Sequence, residues 1–121
     1  MKKYTEPNFK SSAVITIDTQ LDTLDGQPLE ILGTSTALPN IKMVLDAYRQ
    51  KTMPIVHIVR IYKKDGSNVD LCRREAVENG EEMLLESSSG CELAPDMFQN
   101  NVNLKSGLLL SGETQKISTH E

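Results

Sequence analysis

A carboxylate at the end of an apolar segment is the first feature of this sequence that could do chemistry. Residues 13–17 (AVITI) are apolar and rich in β-branched side chains, and Asp18 follows them directly. If this segment is a strand of an open parallel sheet, Asp18 lies where such sheets bind ligands, beyond the strand's carboxyl end. Burial there would perturb its pKa and suit it to acid–base work. An Asp18 that caps a turn through its own backbone is an equally good interpretation of the position.

Two more carboxylates, Asp22 and Asp25, follow in the next loop. Together with Asp18 they could hold Mg²⁺, but their spacing does not match an EF-hand loop. We expect a solvated acidic loop and no metal site.

The second candidate strand also carries polar side chains. Arg60 lies near its carboxyl end, from which a guanidinium could reach the same crevice and hold an anionic group of a substrate. A surface salt bridge is the alternative for Arg60. His57 falls inside the strand, where a packed, hydrogen-bonded histidine is more common than a base or a ligand. Arg73 and Arg74 belong to a charge cluster for which we predict a solvated helix face, with a subunit contact as the alternative.

Cys72 and Cys91 are the only cysteines. A thiolate beside a base or a helix terminus is a nucleophile, but neither cysteine has a base in its local sequence. We expect reduced thiols that serve as small packing residues, because no apolar export signal follows the N-terminal lysines. The sequence contains no GxSxG, GxGxxG, P-loop or HExxH motif.

The elements that must position these residues form a strand–helix–strand unit. The apolar run at 13–17 continues without alternation, which predicts a strand covered on both faces. A helix is predicted over 39–51, with Pro39 at its first position. Residues 54–61 (PIVHIVRI) give the strongest strand signal, and a βαβ unit of this kind builds a parallel sheet. A second helix is predicted over 71–85, interrupted near residues 79–80, and residues 108–110 could form a brief strand.

Composition restricts the possible partners. The chain has 121 residues, with 13 Lys+Arg against 17 Asp+Glu and a net charge of −4. Phosphate-backbone binding needs a basic excess, so we expect no nucleic-acid partner. No apolar run approaches the roughly 18 residues of a membrane span, so we expect no membrane partner. Because no apolar segment follows Lys2 and Lys3, as it would in a signal peptide, we expect a cytoplasmic location. Two strong strands and one weak one would leave an exposed sheet edge and an uncovered face, which predicts association into a homo-oligomer.

Four segments in order resemble the isochorismatase-like cysteine hydrolases: AVITIDTQ (13–20), ALPNIKMVLDAYRQKTMPIVHIVRIY (37–62), DGSNVDLCRRE (65–75) and SGCELAPDM (89–97). The resemblance implies an α/β, three-layer, Rossmann-like fold with a mostly parallel sheet. It divides the chain into an N-terminal tail, residues 1–11, and the N-terminal part of the hydrolase domain, residues 12–121. We expect the fold to be incomplete in this chain.

The resemblance also implies a chemistry. Family members cleave C–N bonds of amides and ureides with an Asp, a Lys and a nucleophilic Cys. Asp18 matches the Asp, and Gln20 accompanies it in the motif as a residue lining the substrate pocket. The segments that carry the Lys and the Cys are expected beyond Glu121, so only the Asp is in this chain. No metal or other cofactor is implied, because the Asp-x-His-type metal motif of nicotinamidases is absent.

Two other functions are compatible with the same residues. The first is a catalytically inactive binding or scaffold protein on the same fold. The second is a phosphotransferase of the haloacid dehalogenase class, which also begins with a strand ending in Asp. That class needs a second acid two residues further on, where this sequence has Gln20.

Overall fold

The computed structural model describes residues 3–97 and, in the C-terminal part, the backbone of two further strands. Six regular elements follow one another along the chain: β1 (Val14–Ile17), α1 (Thr34–Gln50), β2 (Ile55–Arg60), α2 (Leu71–Glu78), β3 (Leu104–Leu110) and β4 (Thr114–Thr119). Short 3-10 turns at Phe9–Ser11, Leu21–Thr23 and Ser89–Cys91 connect some of them.

The predicted βαβ unit forms the centre of the fold. β1 and β2 pair in parallel, with Val14 opposite Ile55 and Ile17 opposite Ile58, and α1 packs against both strands. Their β-branched residues suit a pleated, half-buried surface. The α/β fold class is therefore confirmed, and so are both strands to within a residue or two at each end.

The C-terminal strands extend the sheet as a hairpin. β4 pairs antiparallel with β2, and β3 pairs antiparallel with β4, which gives the order β1-β2-β4-β3. Parallel pairing is thus confined, in the described sheet, to β1 and β2. The predicted brief strand at residues 108–110 is the end of β3, whereas the polar sequence of β4 gave no strand signal.

Helix α1 begins at Thr34, one turn and a half earlier than predicted, so Pro39 lies inside it. The cause is Asp25. Its two carboxylate oxygens accept the backbone N–H groups of Gly33 and Ser35, both at 2.8 Å. These donors would otherwise have no partner at a helix start, and a carboxylate there also favours the helix dipole. The same hydrogen bonds, first from Gly33 and then from Ser35, lower the pKa of Asp25.

The main core lies between α1 and the sheet. Its buried members are Leu45, Ile55, Val59, Leu93, Ala94 and Met97. A second cluster, Tyr62, Val69, Met83 and Leu84, lies beneath the loops that follow β2. Burial of this apolar surface is the main stabilising contribution to the described part of the fold.

The described residues leave the opposite face of β1 uncovered, which corrects the prediction of a strand buried on both sides. The side chains of Ile15 and Ile17 are 56% and 65% exposed, whereas Thr16 between them is buried. A continuous apolar run signals two covered faces only where a second layer exists, and in the described residues α1 covers one face alone.

Helix α2 ends at Glu78, at the predicted interruption near residues 79–80. The predicted continuation to residue 85 is wrong, because residues 81–85 are not helical.

Candidate functional site

Asp18 ends β1 in a sharp change of backbone direction. Its φ of 53° lies in the left-handed region, which Asp adopts more readily than most residues. The turn is fixed by backbone contacts: the Asp18 N–H donates to the Ile58 carbonyl at 2.9 Å, and the Thr23 hydroxyl donates to the Asp18 carbonyl at 2.9 Å. This geometry sends the carboxylate away from the strand axis, with its side chain 30% exposed.

Arg60 ends the neighbouring strand and meets Asp18 at the same sheet edge. The Arg60 Nε lies 3.7 Å from Asp18 Oδ2, so the two residues form an ion pair across the ends of β1 and β2. Arg60 Nε is buried and has no hydrogen-bond partner in the described part of the chain. The parallel register therefore brings together two of the three residues that the sequence predicted for the site.

A network behind Arg60 holds its guanidinium. Asp70, the residue before α2, accepts hydrogen bonds from Arg60 Nη1, from the Tyr62 hydroxyl at 2.8 Å and from Arg73 Nη1 at 2.8 Å. Arg73 Nη1 also donates to the Tyr62 oxygen at 3.0 Å. A single carboxylate thus orients two guanidiniums and a phenol.

The network shifts the pKa values of its members. Burial raises the pKa of Tyr62, and so does its hydrogen bond to Asp70. Burial alone would lower the pKa of Arg60, but the neighbouring Tyr62, Asp18 and Asp70 outweigh it and raise that pKa. Because both pKa values are raised, the Tyr62 hydroxyl and the Arg60 guanidinium keep their protons near neutral pH.

These side chains face a cleft of about 430 Å³. Asp18, Arg60 and Arg73 form its polar wall, and the remaining lining comes from Thr23, Pro28, Leu29, Glu30, Ile31 and Leu84. Leu84 also has a left-handed backbone, with φ 48°. A cleft with an apolar wall and a few convergent polar groups has the general character of a small-molecule site.

Gln20, the third predicted site residue, has no exposed surface and is not among the residues lining this cleft. Its side-chain amide donates to the carbonyls of Arg60 at 2.8 Å and Cys91 at 2.6 Å, and it accepts the Arg60 N–H at 2.8 Å. Gln20 thus ties the loop after β1 to the end of β2 and to the Ser89–Cys91 turn. Contact between Gln20 and a substrate stays a prediction. In the structure, Gln20 positions Arg60 through hydrogen bonds to its backbone.

His57, Cys72 and Cys91, which were also singled out from the sequence, lie outside the cleft lining. His57 is buried, with its Nδ1 2.6 Å from the Thr16 hydroxyl, and burial first and the Arg49 charge second lower its pKa to about 4. It is the packed, hydrogen-bonded residue that was predicted. Cys72 is exposed, Cys91 donates its thiol hydrogen to the Ser88 carbonyl, and both are free cysteines.

Asp22 connects the acidic loop to the backbone at Leu84. Its carboxylate accepts the Leu84 N–H at 2.6 Å and lies directly against the α-carbon hydrogens of Gly90. Among the described residues no group of three or more potential metal ligands converges. Within the same residues, no helix combines the length and the apolar character that crossing a bilayer requires.

Arg73, Tyr62 and Asp70 are the site residues that sequence reasoning missed. The sequence predicts a solvated charge cluster for Arg73, but its side chain lines the cleft, where it donates a hydrogen bond to Asp70, three residues earlier. The spacing Asp-x-x-Arg at the start of a helix was the available signal, since such residues face each other on one side of the helix.

The comparison with solved structures finds a similar fold. The chain matches an isochorismatase family protein from Desulfovibrio vulgaris subsp. vulgaris str. Hildenborough with a TM-score of 0.68 and 25% sequence identity. The match covers 75% of this chain and 48% of that protein, so the chain spans about half the length of the structure it resembles. No protein-family model and no curated protein matches the sequence. The likeness supports a hydrolase family of the isochorismatase type at the level of the fold.

Proposed function

We propose that this chain is the N-terminal part of an isochorismatase-like hydrolase that cleaves a C–N bond, of the amide or ureide type, in a small molecule. The observation that carries the proposal is the position of Asp18. Its carboxylate opens into a cleft beyond the carboxyl end of β1, paired with Arg60, in a fold like that of an isochorismatase family protein.

In the proposed reaction Asp18 is the general base. It takes the proton of a cysteine thiol, and the thiolate attacks the carbonyl carbon of the substrate while a lysine stabilises the developing charge. The C–N bond then breaks, and the nitrogen leaves with the proton that Asp18 took from the thiol. Water hydrolyses the resulting thioester to a carboxylic acid, or the thiocarbamate of a ureide to a carbamic acid, and the cysteine thiol is regenerated. Of the Asp-Lys-Cys set, Asp18 is the member that we assign in this chain.

Arg60 is the proposed substrate-binding residue. Its guanidinium is held by Asp70 on one side and by Asp18 on the other, so it is already oriented before a ligand arrives. A preorganised donor loses less conformational entropy when it binds an oxygen of the substrate. Gln20 supports this function by fixing the Arg60 backbone through two hydrogen bonds.

The remaining features of the proposal concern the whole protein. We propose a cytoplasmic homo-oligomer that acts on a small molecule without a metal or other cofactor, and with neither nucleic acid nor membrane as a partner. The exposed Ile15 and Ile17 side chains support association, because uncovered apolar sheet faces favour contact with another surface.

The proposal is tested by supplying the thiol from solution. The 121-residue chain is incubated with 2-mercaptoethanol and 4-nitroacetanilide, and release of 4-nitroaniline is followed by absorbance. If Asp18 removes the proton of a thiol bound in the cleft, the chain accelerates thiolysis. Asp18→Asn is then expected to lower the accelerated rate by about 100-fold, the lower range of general-base catalysis.

Asp65→Asn is the matched control. Asp65 lies in the exposed loop after β2, where its carboxylate accepts the Ser67 N–H, so this variant makes the same chemical change away from the cleft. Its rate should equal that of the unchanged chain. An Asp18→Asn variant that retains the full rate, or a chain that gives no acceleration over buffer, would contradict the proposal and favour a non-catalytic binding or scaffold protein on this fold.

A further inference from the structure

We infer that Arg73 selects the ligand of this cleft, and that the ligand class is a small carboxylate whose apolar part lies against Leu29 and Leu84. The inference rests on the proposed function, because it describes the substrate of the same cleft. It adds a ligand-binding residue that the sequence did not indicate, and it names a chemical class for the substrate.

The Arg73 guanidinium has N–H groups that can bind a ligand. A guanidinium carries five N–H groups in a planar fork, which matches the two oxygens of a carboxylate. The hydrogen bonds of Arg73 to Asp70 and to Tyr62 both use Nη1. In the described part of the chain its Nε and Nη2 form no such hydrogen bond, so this cleft-lining side chain keeps donors for a ligand.

The charge of Arg73 is only partly balanced by the acids around it. Among the described residues, Asp18 is paired with Arg60, whereas Asp70 is shared by Arg60 and Arg73. Within the same residues, Arg73 thus shares its carboxylate partner with Arg60. Glu30, the other acid of the cleft lining, is engaged with the backbone N–H of Gly26. An incoming carboxylate can thus complete the partners of Arg73 without displacing an existing ion pair.

The cleft suits a ligand with an apolar part. Pro28, Leu29, Ile31 and Leu84 form the apolar part of the lining. A volume of about 430 Å³ accommodates a ligand with one ring or a short branched chain. A carboxylate on Arg73 would fix one end of such a ligand, which leaves its other end to lie toward Asp18 and Arg60.

Benzoate and benzamide are the probes that test this inference. They have nearly the same shape but differ in charge. Binding of each to the 121-residue chain is measured by isothermal titration calorimetry. The unchanged chain should bind benzoate at least about tenfold more tightly than benzamide, as expected when one charged hydrogen bond is added.

Three variants locate the effect. Arg73→Gln should weaken benzoate binding by about tenfold or more and change benzamide binding by less than about twofold. Arg73→Lys keeps the charge but not the fork, so it should lie between the unchanged chain and Arg73→Gln. Arg74→Gln removes an identical charge at the next residue, which contacts the Val69 carbonyl and lines a different cavity of about 200 Å³, and should behave like the unchanged chain.

The outcomes are distinct. Equal binding of the two probes, no binding of benzoate, or equal losses in the Arg73→Gln and Arg74→Gln variants would overturn the inference, the last because it would indicate general electrostatic attraction. A thermal melt of each variant separates ligand effects from unfolding, and the benzoate preference of the unchanged chain needs no variant at all. If the chain does not accelerate thiolysis but prefers benzoate, the hydrolase proposal is wrong and the inference about Arg73 stands. If the chain accelerates thiolysis but does not prefer benzoate, the inference about Arg73 is wrong and the hydrolase proposal stands.

Discussion

The buried histidine of β2 predicts how the stability of the fold depends on pH. His57 has a pKa of about 4 in the folded chain, against 6.5 for a free imidazole, because burial and the charge of Arg49 disfavour the imidazolium. Above pH 6.5 both the folded and the unfolded chain hold His57 neutral. Below pH 6.5 the unfolded chain binds a proton that the folded chain does not, so acidification favours unfolding until the pH reaches about 4.

The size of the effect follows from the two pKa values. The folded pKa lies about 2.5 below the free value, which at about 1.4 kcal/mol for each pH unit sets an upper limit of about 3.5 kcal/mol. The Thr16 hydroxyl beside Nδ1 provides a polar contact that offsets part of the desolvation. We therefore expect the free energy of unfolding to fall by about 1 to 2 kcal/mol between pH 7.5 and pH 5.0.

Urea unfolding at several pH values measures this dependence. The carboxylates with lowered pKa values, Asp25, Asp46 and Asp65, lose their contributions at more acidic pH, so they leave the window above pH 5 to His57. His57→Gln cannot titrate but can still hydrogen-bond to Thr16. It should flatten the dependence between pH 7.5 and 5.0, whatever its own stability.

A direct titration of His57 by NMR provides the second measurement. The ring should stay neutral in the folded chain down to about pH 5. A His57 that titrates near pH 6.5 while the chain is folded would refute the reasoning, as would a His57→Gln variant with an unchanged pH dependence.

Two further changes test the loops that hold the site. Gly90→Ala should destabilise the chain by about 2 kcal/mol in urea unfolding, because a β-carbon there would overlap the Asp22 carboxylate, whereas Ser89→Ala in the same turn should have a much smaller effect. Gln20→Leu should lower the free energy of unfolding by about 3 kcal/mol, because it leaves buried backbone groups, including both the N–H and the carbonyl of Arg60, without partners; a loss below about 1 kcal/mol would contradict the positioning assigned to Gln20.

The central βαβ unit was predictable from the sequence because its signals are local. The apolar runs before Asp18 and around His57 have the composition of strands, and their parallel register then places Asp18 beside Arg60 without further information. The start of α1 was not predictable in the same way. It depends on Asp25, whose carboxylate accepts the N–H of Gly33, eight residues further along the chain. Helical periodicity does not predict such a contact.

The site itself was only partly predictable. Asp18 and Arg60 end adjacent strands, so topology locates them. Arg73 was missed because a basic residue on a short helix is usually solvated, and only the fold shows that Asp70 and Tyr62 turn it toward the cleft. The exposure of Ile15 was not predictable either, since a run of apolar residues does not reveal which of its faces the chain goes on to cover.

The left-handed backbone at Asp18 and Leu84 has a consequence for the evolution and engineering of this chain. A residue with a β-carbon costs about 1 to 3 kcal/mol in that region, and glycine would relieve most of it at either position. If this relief exceeds the loss of the Asp18–Arg60 ion pair, selection for heat resistance alone would favour glycine at position 18 and remove the carboxylate from the cleft. Stability and chemistry thus favour different residues at position 18. Any stabilised variant of this protein therefore has to be tested for ligand binding as well.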